Sequence, residues 1–367
     1  MKKPVGSGSD HVSITIVLSC LAAAALLPSF AAAAGGEGSG NCTTRCGDIN
    51  IEYPFGVEAG CYHPGFNLTC NRSSSYHSPR LFLGDGTVQV LDISVPNGTA
   101  LINNSRIVFS STNKQVVSTT WEVGSPYFLS GSNKIALVGC NARVDLRASR
   151  RRLISSCTAV CPSPSDAAAP SDSNSNSTDP IYFMGSGICV ACSGVGCCQA
   201  NISFADSSYS VEVQNLQEQG TKSIGPTDLV YIVQQDFTYH SDMAGDSSNA
   251  PQALPALLNW YISTDSSACR TPTNSTSASA PGCLSNNSFC QQGNDPAPAG
   301  YKCYCSPGYQ GNPYIAGGCH DIDECKSPQL YSCYGDCNNT QGSHVCKCPH
   351  GYEGNPSTPN GCKGELN

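Results

Sequence analysis

The sequence predicts a mainly β, disulfide-rich protein: a β-rich N-terminal domain followed by two small cysteine-stapled modules. Three observations predict it. Cysteine accounts for 24 of 367 residues and clusters at tight spacings. Apolar residues alternate with polar ones in short runs, and no long 3.6-residue period appears. A six-cysteine pattern also occurs twice in succession near the C-terminus. Such an array reads as metal binding in a reducing compartment and as a disulfide framework in an oxidising one.

The N-terminus decides between these. Lys2 and Lys3 precede a nearly uncharged apolar run from Ile14 to Leu27, and Ala32-Ala33-Ala34 offers small residues for cleavage. Residues 1–34 therefore read as a secretory signal, the apolar run being shorter than the ~20 residues that span a bilayer. Its removal takes Cys20 with it and leaves 23 cysteines, so one has no partner within the monomer. Asn-X-Ser/Thr sequons at Asn41, Asn67, Asn71, Asn97, Asn103, Asn176, Asn201, Asn274, Asn286 and Asn338 fit a glycosylated extracellular surface. No later stretch of this sequence approaches a membrane span, so the product reads as secreted; a frame continuing past Asn367 into an apolar span would make it membrane-associated. The net charge of −8 is uneven, with 11 Lys and Arg against 10 Asp and Glu over 42–198, and 6 against 15 over 199–367. The first part can face a polyanion and the second suits cations; no nucleic-acid partner is expected.

In chain order, residues 35–198 form the first domain. It opens with Cys42, Cys46, Cys61 and Cys70, and closes with Cys140, Cys157, Cys161, Cys189, Cys192, Cys197 and Cys198. Between them Thr87–Val95 alternates as a strand, Pro96-Asn97-Gly98 is turn chemistry, and Ala100–Phe109 and Lys134–Val138 resume β-rich sequence. Ser163–Asp179 is a polar tract read as a surface loop. Residues 199–268 carry strand-like Tyr209–Val213 and Asp228–Val233 and the apolar stretch Leu254–Ile262, expected to pack as a second β-rich layer on the first. The repeats follow at 269–319 and 320–362, with a tail at 363–367. Both place Cys-X-Cys fourth and fifth, and both carry a shared text, Gly308-Tyr-Gln-Gly-Asn-Pro313 and Gly351-Tyr-Glu-Gly-Asn-Pro356. Neither is large enough to bury a real core, so disulfides must contribute about 2–4 kcal/mol each.

The repeats resemble epidermal-growth-factor-like (EGF-like) modules, the second of the calcium-binding kind. That resemblance implies the pairs Cys269–Cys290, Cys283–Cys303 and Cys305–Cys319, then Cys325–Cys337, Cys333–Cys346 and Cys348–Cys362; spacing alone leaves fifteen connectivities per repeat. Upstream, Cys46-Gly47, Ile51-Glu-Tyr-Pro-Phe-Gly56, Gly60-Cys61, Phe66-Asn-Leu-Thr-Cys70, Gly139-Cys140 and Cys192-Ser-Gly-Val-Gly-Cys-Cys198 resemble the galacturonan-binding ectodomain of plant wall-associated receptor kinases. Leu254-Pro-Ala-Leu-Leu-Asn-Trp260 looks like a further block of it. The resemblance implies a non-catalytic, cell-wall protein that binds pectic polysaccharide (galacturonan), with the module pair as a calcium-stiffened stalk and a possible surface for a protein partner. The family's membrane span and kinase have no counterpart in the sequence, and Cys189 is extra to the block, which makes it the candidate odd thiol. Cys189-Val-Ala-Cys192 with Cys197-Cys198 also suits zinc or a redox pair, but secretion favours disulfides.

Two candidate sites follow. For calcium, a hard cation served by carboxylate, amide and carbonyl oxygens, the resemblance implies side-chain oxygens from Asp321, Glu324 and Asn339 and backbone oxygens from Ile322, Thr340 and Ser343. His344 stands where the family places Phe or Tyr, which predicts weak binding within the ~10⁻⁴–10⁻³ M range of extracellular modules. The bland alternative is a solvated acidic linker. For a row of carboxylates, Arg143, Arg147, Arg150, Arg151 and Arg152 form the densest basic cluster, with Arg45, Arg72, Arg80 and Arg106 scattered. Arg143 and Arg147 share a face if the segment is extended; the alternative is an exposed loop kept soluble by charge. Tyr53 and Phe55, with Tyr62 and Phe66, can stack on sugar rings or form a small core beside the cysteines. The histidines sit in no recognisable nucleophile or metalloprotease motif, and no enzyme activity is expected.

Overall fold

Strict alternation builds most of the strands. In Ala142–Ala148 and Ala253–Trp260, and in Ser208–Asn215 as far as Val213, every second side chain is buried, the period of a strand with one face on a core. These strands belong to a computed structural model that describes residues 42–73, 78–109, 116–148, 151–161, 192, 194–204, 206–216, 228–238, 250–263, 268–269, 280–293 and 300–364. The signal segment, Arg150, Cys20, Cys189, the tract 163–179 and the sequons Asn41, Asn176 and Asn274 lie outside the described residues.

Three antiparallel sheets form the body. The largest has six strands in the order Leu68–Asn71, Arg80–Leu83, Val88–Ser94, Thr99–Ser105, Ala253–Trp260, Tyr127–Leu129. A second runs Cys197–Asn201, Asn133–Val138, Asp228–Gln234, Ile107–Phe109. The third runs Arg152–Ala159, Ala142–Ala148, Ser208–Asn215, Val116–Glu122. The fold is mainly β and disulfide-rich, with no α-helix among the described residues.

One expectation is corrected here. Residues 199–268 do not stack as a second layer on what precedes them. Each of their long strands is inserted between earlier ones: Ala253–Trp260 pairs with Thr99–Ser105 and Tyr127–Leu129, and Asp228–Gln234 with Asn133–Val138 and Ile107–Phe109. A buried strand needs hydrogen-bond partners along both edges, and these lie far away in the chain. Asp228–Gln234 is buried on both faces, with Val230 and Ile232 in the main core and Leu229, Tyr231 and Val233 in a smaller cluster. That explains its unbroken apolar run. The buried amide of Asn133 ties strands together, donating to Ser130 O and Leu257 O at 2.7 Å and accepting from Leu257 N at 2.8 Å.

Disulfides join Cys42–Cys61, Cys46–Cys70, Cys140–Cys161, Cys157–Cys198 and Cys192–Cys197 in the body. In the modules they join Cys269–Cys290, Cys283–Cys303, Cys305–Cys319, Cys325–Cys337, Cys333–Cys346 and Cys348–Cys362. Each module is a pair of two-stranded sheets: Ser288–Gln292 with Tyr301–Cys305 and Tyr309–Gly311 with Cys319–Asp321, then Asp336–Thr340 with Ser343–Lys347 and Tyr352–Gly354 with Cys362–Gly364.

The first module is not part of a free stalk. Tyr314, 0% exposed, places its ring 5.4 Å from Trp260, which in turn meets Phe55 at 5.3 Å and Phe66 at 5.4 Å. Asn312 Nδ2 donates to Tyr53 O at 2.6 Å, and Lys302 Nζ donates to Gly98 O at 2.9 Å and lies 5.2 Å from the Tyr261 ring centroid. The module therefore closes the main core, because the large aromatic after Pro313 finds its burial in the body.

Candidate functional site

The basic cluster resolves into an ion-pair network. Arg143, Asp145 and Arg147 share the outward face of Ala142–Ala148. Asp145 accepts from Arg143 Nε at 2.8 Å, from Arg147 Nη2 at 2.6 Å and from Ser156 Oγ at 2.6 Å, while Arg147 Nε donates to Glu212 at 2.9 Å. Burial works against ionisation of Asp145, but the Ser156 hydroxyl and the two guanidiniums outweigh it and hold its pKa below the ordinary value. Two carboxylates thus answer two of the arginines, and this face is nearly neutral. Arg151 is exposed with a φ of +59°, and Arg152 lies 5.0 Å from the Phe204 ring centroid. As a polyanion site the cluster is weakened by neighbours the chain itself supplies.

Phe55 is corrected too. At 1% exposure, packed edge-on to Phe66 and Trp260, it is core and presents no face to a sugar. Phe66 is equally buried, and Tyr53 is half-buried with its carbonyl committed to Asn312.

Three of the four arginines that looked scattered are brought together instead; the fourth, Arg106, lies elsewhere, its Nη1 donating to Ala250 O at 2.9 Å. The Cys46–Cys70 disulfide ties the strand holding Arg45 to the edge strand Leu68–Asn71, and Asn71 stands opposite Arg80 in the sheet register. Gly47 lies against Pro79 O, closely enough that a Cβ there would meet it at 2.5 Å. Arg72 follows Asn71, so Arg45, Arg72 and Arg80, all exposed, occupy one corner of the six-stranded sheet. Glu58 is near them, its pKa lowered chiefly by hydrogen bonds from Thr43 and least by the charge of Arg72. The pair Arg45–Asp48 is solvent-exposed at 3.8 Å, a geometry that contributes little. This corner was invisible in the sequence because a disulfide and a strand pairing create it.

The acidic entry to the second module gathers the other predicted group. Asp321 accepts from Asn339 Nδ2 at 2.7 Å and from Gly342 N, while Ser343 O accepts from Thr340 Oγ1 at 2.7 Å. Glu324, 3% exposed in the short 3₁₀ turn Glu324–Lys326, has an Oε2 without a hydrogen-bond partner, 4.0 Å from His344 Nδ1. A buried carboxylate oxygen with no donor is what a cation site leaves when only protein is considered, and the Asp, Asn and Glu oxygens are hard-cation donors. The residues present fit calcium. Among the remaining described sequons, Asn97, Asn201, Asn286 and Asn338 are exposed and Asn67, Asn71 and Asn103 half-buried.

Residues 42–104 match the family described as wall-associated receptor kinase galacturonan-binding, and residues 321–362 match the calcium-binding EGF domain. Among curated proteins, the chain is 30% identical to wall-associated receptor kinase 2 of Arabidopsis thaliana over 84% of its own length and 38% of that protein. It is 29% identical to wall-associated receptor kinase 5 over 83% and 38%, and 30% identical to wall-associated receptor kinase 3 over 82% and 39%, both from Arabidopsis thaliana. The chain thus spans about two fifths of the length of these relatives. No solved structure matches. Among the described residues no helix is long and apolar enough to cross a membrane. Both matched families are binding domains and not catalytic ones, and the chain has the ectodomain architecture of the wall-associated receptor kinases: a galacturonan-binding-type domain followed by EGF-like modules.

Proposed function

We propose that this chain binds pectic polyanions at the cell wall, without catalysis, and that the contact lies at the corner carrying Arg45, Arg72 and Arg80. The observation that carries this reading is the match of residues 42–104 to a galacturonan-binding family. All three arginines belong to that stretch. Each guanidinium can hold a uronate carboxylate through two parallel hydrogen bonds, and attraction adds along a polymer of like charges. The cluster at 143–152 plays the lesser part, because Asp145 and Glu212 already occupy Arg143 and Arg147.

Retention on polygalacturonate across a salt series tests the reading. Binding is expected to weaken as salt rises and to fall further in Arg45→Gln/Arg72→Gln/Arg80→Gln than in Arg143→Gln/Arg147→Gln. Retention indifferent to salt, or equal on a neutral glucan, would sink it.

Calcium is the second part of the proposal. Asp321, Glu324 and Asn339 would hold the ion with carbonyls of Ile322, Thr340 and Ser343, and its charge would satisfy Glu324 Oε2. Calorimetric titration is expected to find one weak site, lost in Glu324→Gln. An unchanged isotherm in that variant rejects the assignment.

A further inference from the structure

Four consecutive strands, Leu68–Asn71, Arg80–Leu83, Val88–Ser94 and Thr99–Ser105, lie side by side in the six-stranded sheet, and almost all of their length falls within the family match at 42–104. Their inner side chains are core: Leu68, Leu81, Leu83, Val90, Ala100 and Ile102 are buried. The sheet register lines up the alternate set on the other face. Thr69 stands opposite Phe82, Phe82 opposite Gln89, and Gln89 opposite Asn103. With strands about 4.8 Å apart, this row crosses the sheet over about 14 Å, long enough for several sugar rings.

The row has the chemistry of a sugar platform. Phe82 is half-buried between two buried leucines of its own strand and faces away from them, and the face of its ring can take the C–H groups of a pyranose. Asn103 Nδ2 donates to Gln89 Oε1 at 3.4 Å, both side chains being half-buried. Among the described residues Gln89 Nε2 and Asn103 Oδ1 have no partner within the chain, which leaves one donor and one acceptor for sugar hydroxyls. Arg80 precedes Phe82 by two residues on the same face, about 7 Å along the strand, within reach of a carboxylate on a ring stacked against Phe82. The row is therefore continuous with the corner of Arg45, Arg72 and Arg80. Asp92 stands exposed opposite Leu101 in the adjoining row, where it repels a polyanion and so favours the path over Phe82.

We propose that the row of Phe82, Gln89 and Asn103 extends the polyanion site: a galacturonan chain crosses the strands with one ring on Phe82, its carboxylate at Arg80, and the hydroxyls of a neighbouring ring on Gln89 and Asn103. This rests on the reading of the arginine corner as the polyanion contact. Asn103 is also a sequon, so the row is open only in molecules that carry no glycan there.

The test is calorimetric titration of the whole chain with a short and a long oligomer of galacturonic acid. Phe82→Ala and Gln89→Ala are each expected to weaken binding of the long oligomer about tenfold and to leave the short one, held by the corner alone, nearly unchanged. Phe82→Tyr, which keeps the ring, should bind as the unaltered chain does, and Gln89→Ala keeps the row testable if Phe82→Ala fails to fold. Peptide mass spectrometry of the fraction retained on polygalacturonate should find Asn103 without a glycan; a glycan there overturns the proposal. Unaltered affinity for the long oligomer in Gln89→Ala and in folded Phe82→Ala also overturns it. If Arg45→Gln/Arg72→Gln/Arg80→Gln still weakens both oligomers in that case, the corner stands without the row; binding that neither salt nor the arginine changes alter is the separate failure of the corner itself.

Discussion

The two EGF-like modules carry the same six-cysteine plan and the same Gly-Tyr-X-Gly-Asn-Pro text, yet one is part of the body and the other stands on it. In the first, Tyr301, Cys303, Asn312, Tyr314 and Cys319 are buried; in the second, over 320–364, Glu324 is the one buried residue and every other is partly or fully exposed. The divergence starts one residue after the shared text, where Tyr314 follows Pro313 and Ser357 follows Pro356. The local turns remain alike, Asn312 Oδ1 accepting from Tyr314 N and Asn355 Oδ1 from Ser357 N, both at 2.9 Å. Motif and disulfides thus determine the module's own fold. One aromatic, two long-range side-chain donors and the backbone pairs of Tyr301 with Ile262 and Ser263 join the first module to the larger core.

The largest test of this contrast is Tyr314→Ala against Ser357→Ala. Emptying a fully buried aromatic site should cost about 3–5 kcal/mol, and truncating an exposed serine less than about 0.5 kcal/mol. Denaturant unfolding followed by Trp260 fluorescence checks both. Two variants with equal midpoints would mean that the first module contributes nothing to the body.

Disulfides sharpen the same point. Cys305–Cys319 and Cys348–Cys362 each span 14 residues, so chain entropy assigns both about 3 kcal/mol. The consequences should nevertheless differ. Cys305→Ser/Cys319→Ser is expected to shift the main unfolding transition and expose the body to protease, whereas Cys348→Ser/Cys362→Ser should open only the segment beyond Asp321. Parallel proteolysis of the body in both variants would break the comparison.

A pH dependence is expected from the body. Burial raises the Asp228 carboxyl from 3.8 to about 6, beside Gly139, where a Cβ would strike its Oδ1. The folded state disfavours the ionised form, so stability falls as pH rises from 3.8 through about 6 and levels off above. Asp228→Asn should therefore raise stability at pH 7 by up to about 3 kcal/mol and leave it unchanged near pH 3. Thermal melts at the two pH values check the sign.

Short-range pattern carried much of this molecule. Alternation marked strands such as Val88–Ser94, whereas Asp228–Gln234 is an unbroken apolar run and Val116–Glu122 and Arg152–Ala159 bury no regular alternate set; Asp145 midway between Arg143 and Arg147 was open to anyone placing that segment in a strand. What was hidden was everything decided across the chain. Glu212 reaches Arg147 from 65 residues away, and Asn312 reaches Tyr53 from 259. Phe55 looked available to a sugar because Trp260, which packs against it from a distant segment, leaves no trace in its neighbourhood. The corner of Arg45, Arg72 and Arg80 has the same origin.

The smallest test isolates one such long-range bond. Asn312 and Asn355 perform the same local task with Oδ1, but Asn312 Nδ2 also donates to Tyr53 O, and Asn355 is exposed. Changing Asn312 to Asp keeps the acceptor for Tyr314 N and replaces the donor with an oxygen facing a carbonyl. Leaving that part-buried carbonyl unpaired should cost about 1–3 kcal/mol, while Asn355→Asp, with the acceptor kept and water on the other side, should be close to neutral. The difference between the two in a denaturant titration measures what the bond from the first module to the body contributes. Equal losses would place the whole effect in the turn and leave Tyr314, Lys302 and the backbone pairs of Tyr301 with Ile262 and Ser263 to hold the module to the body.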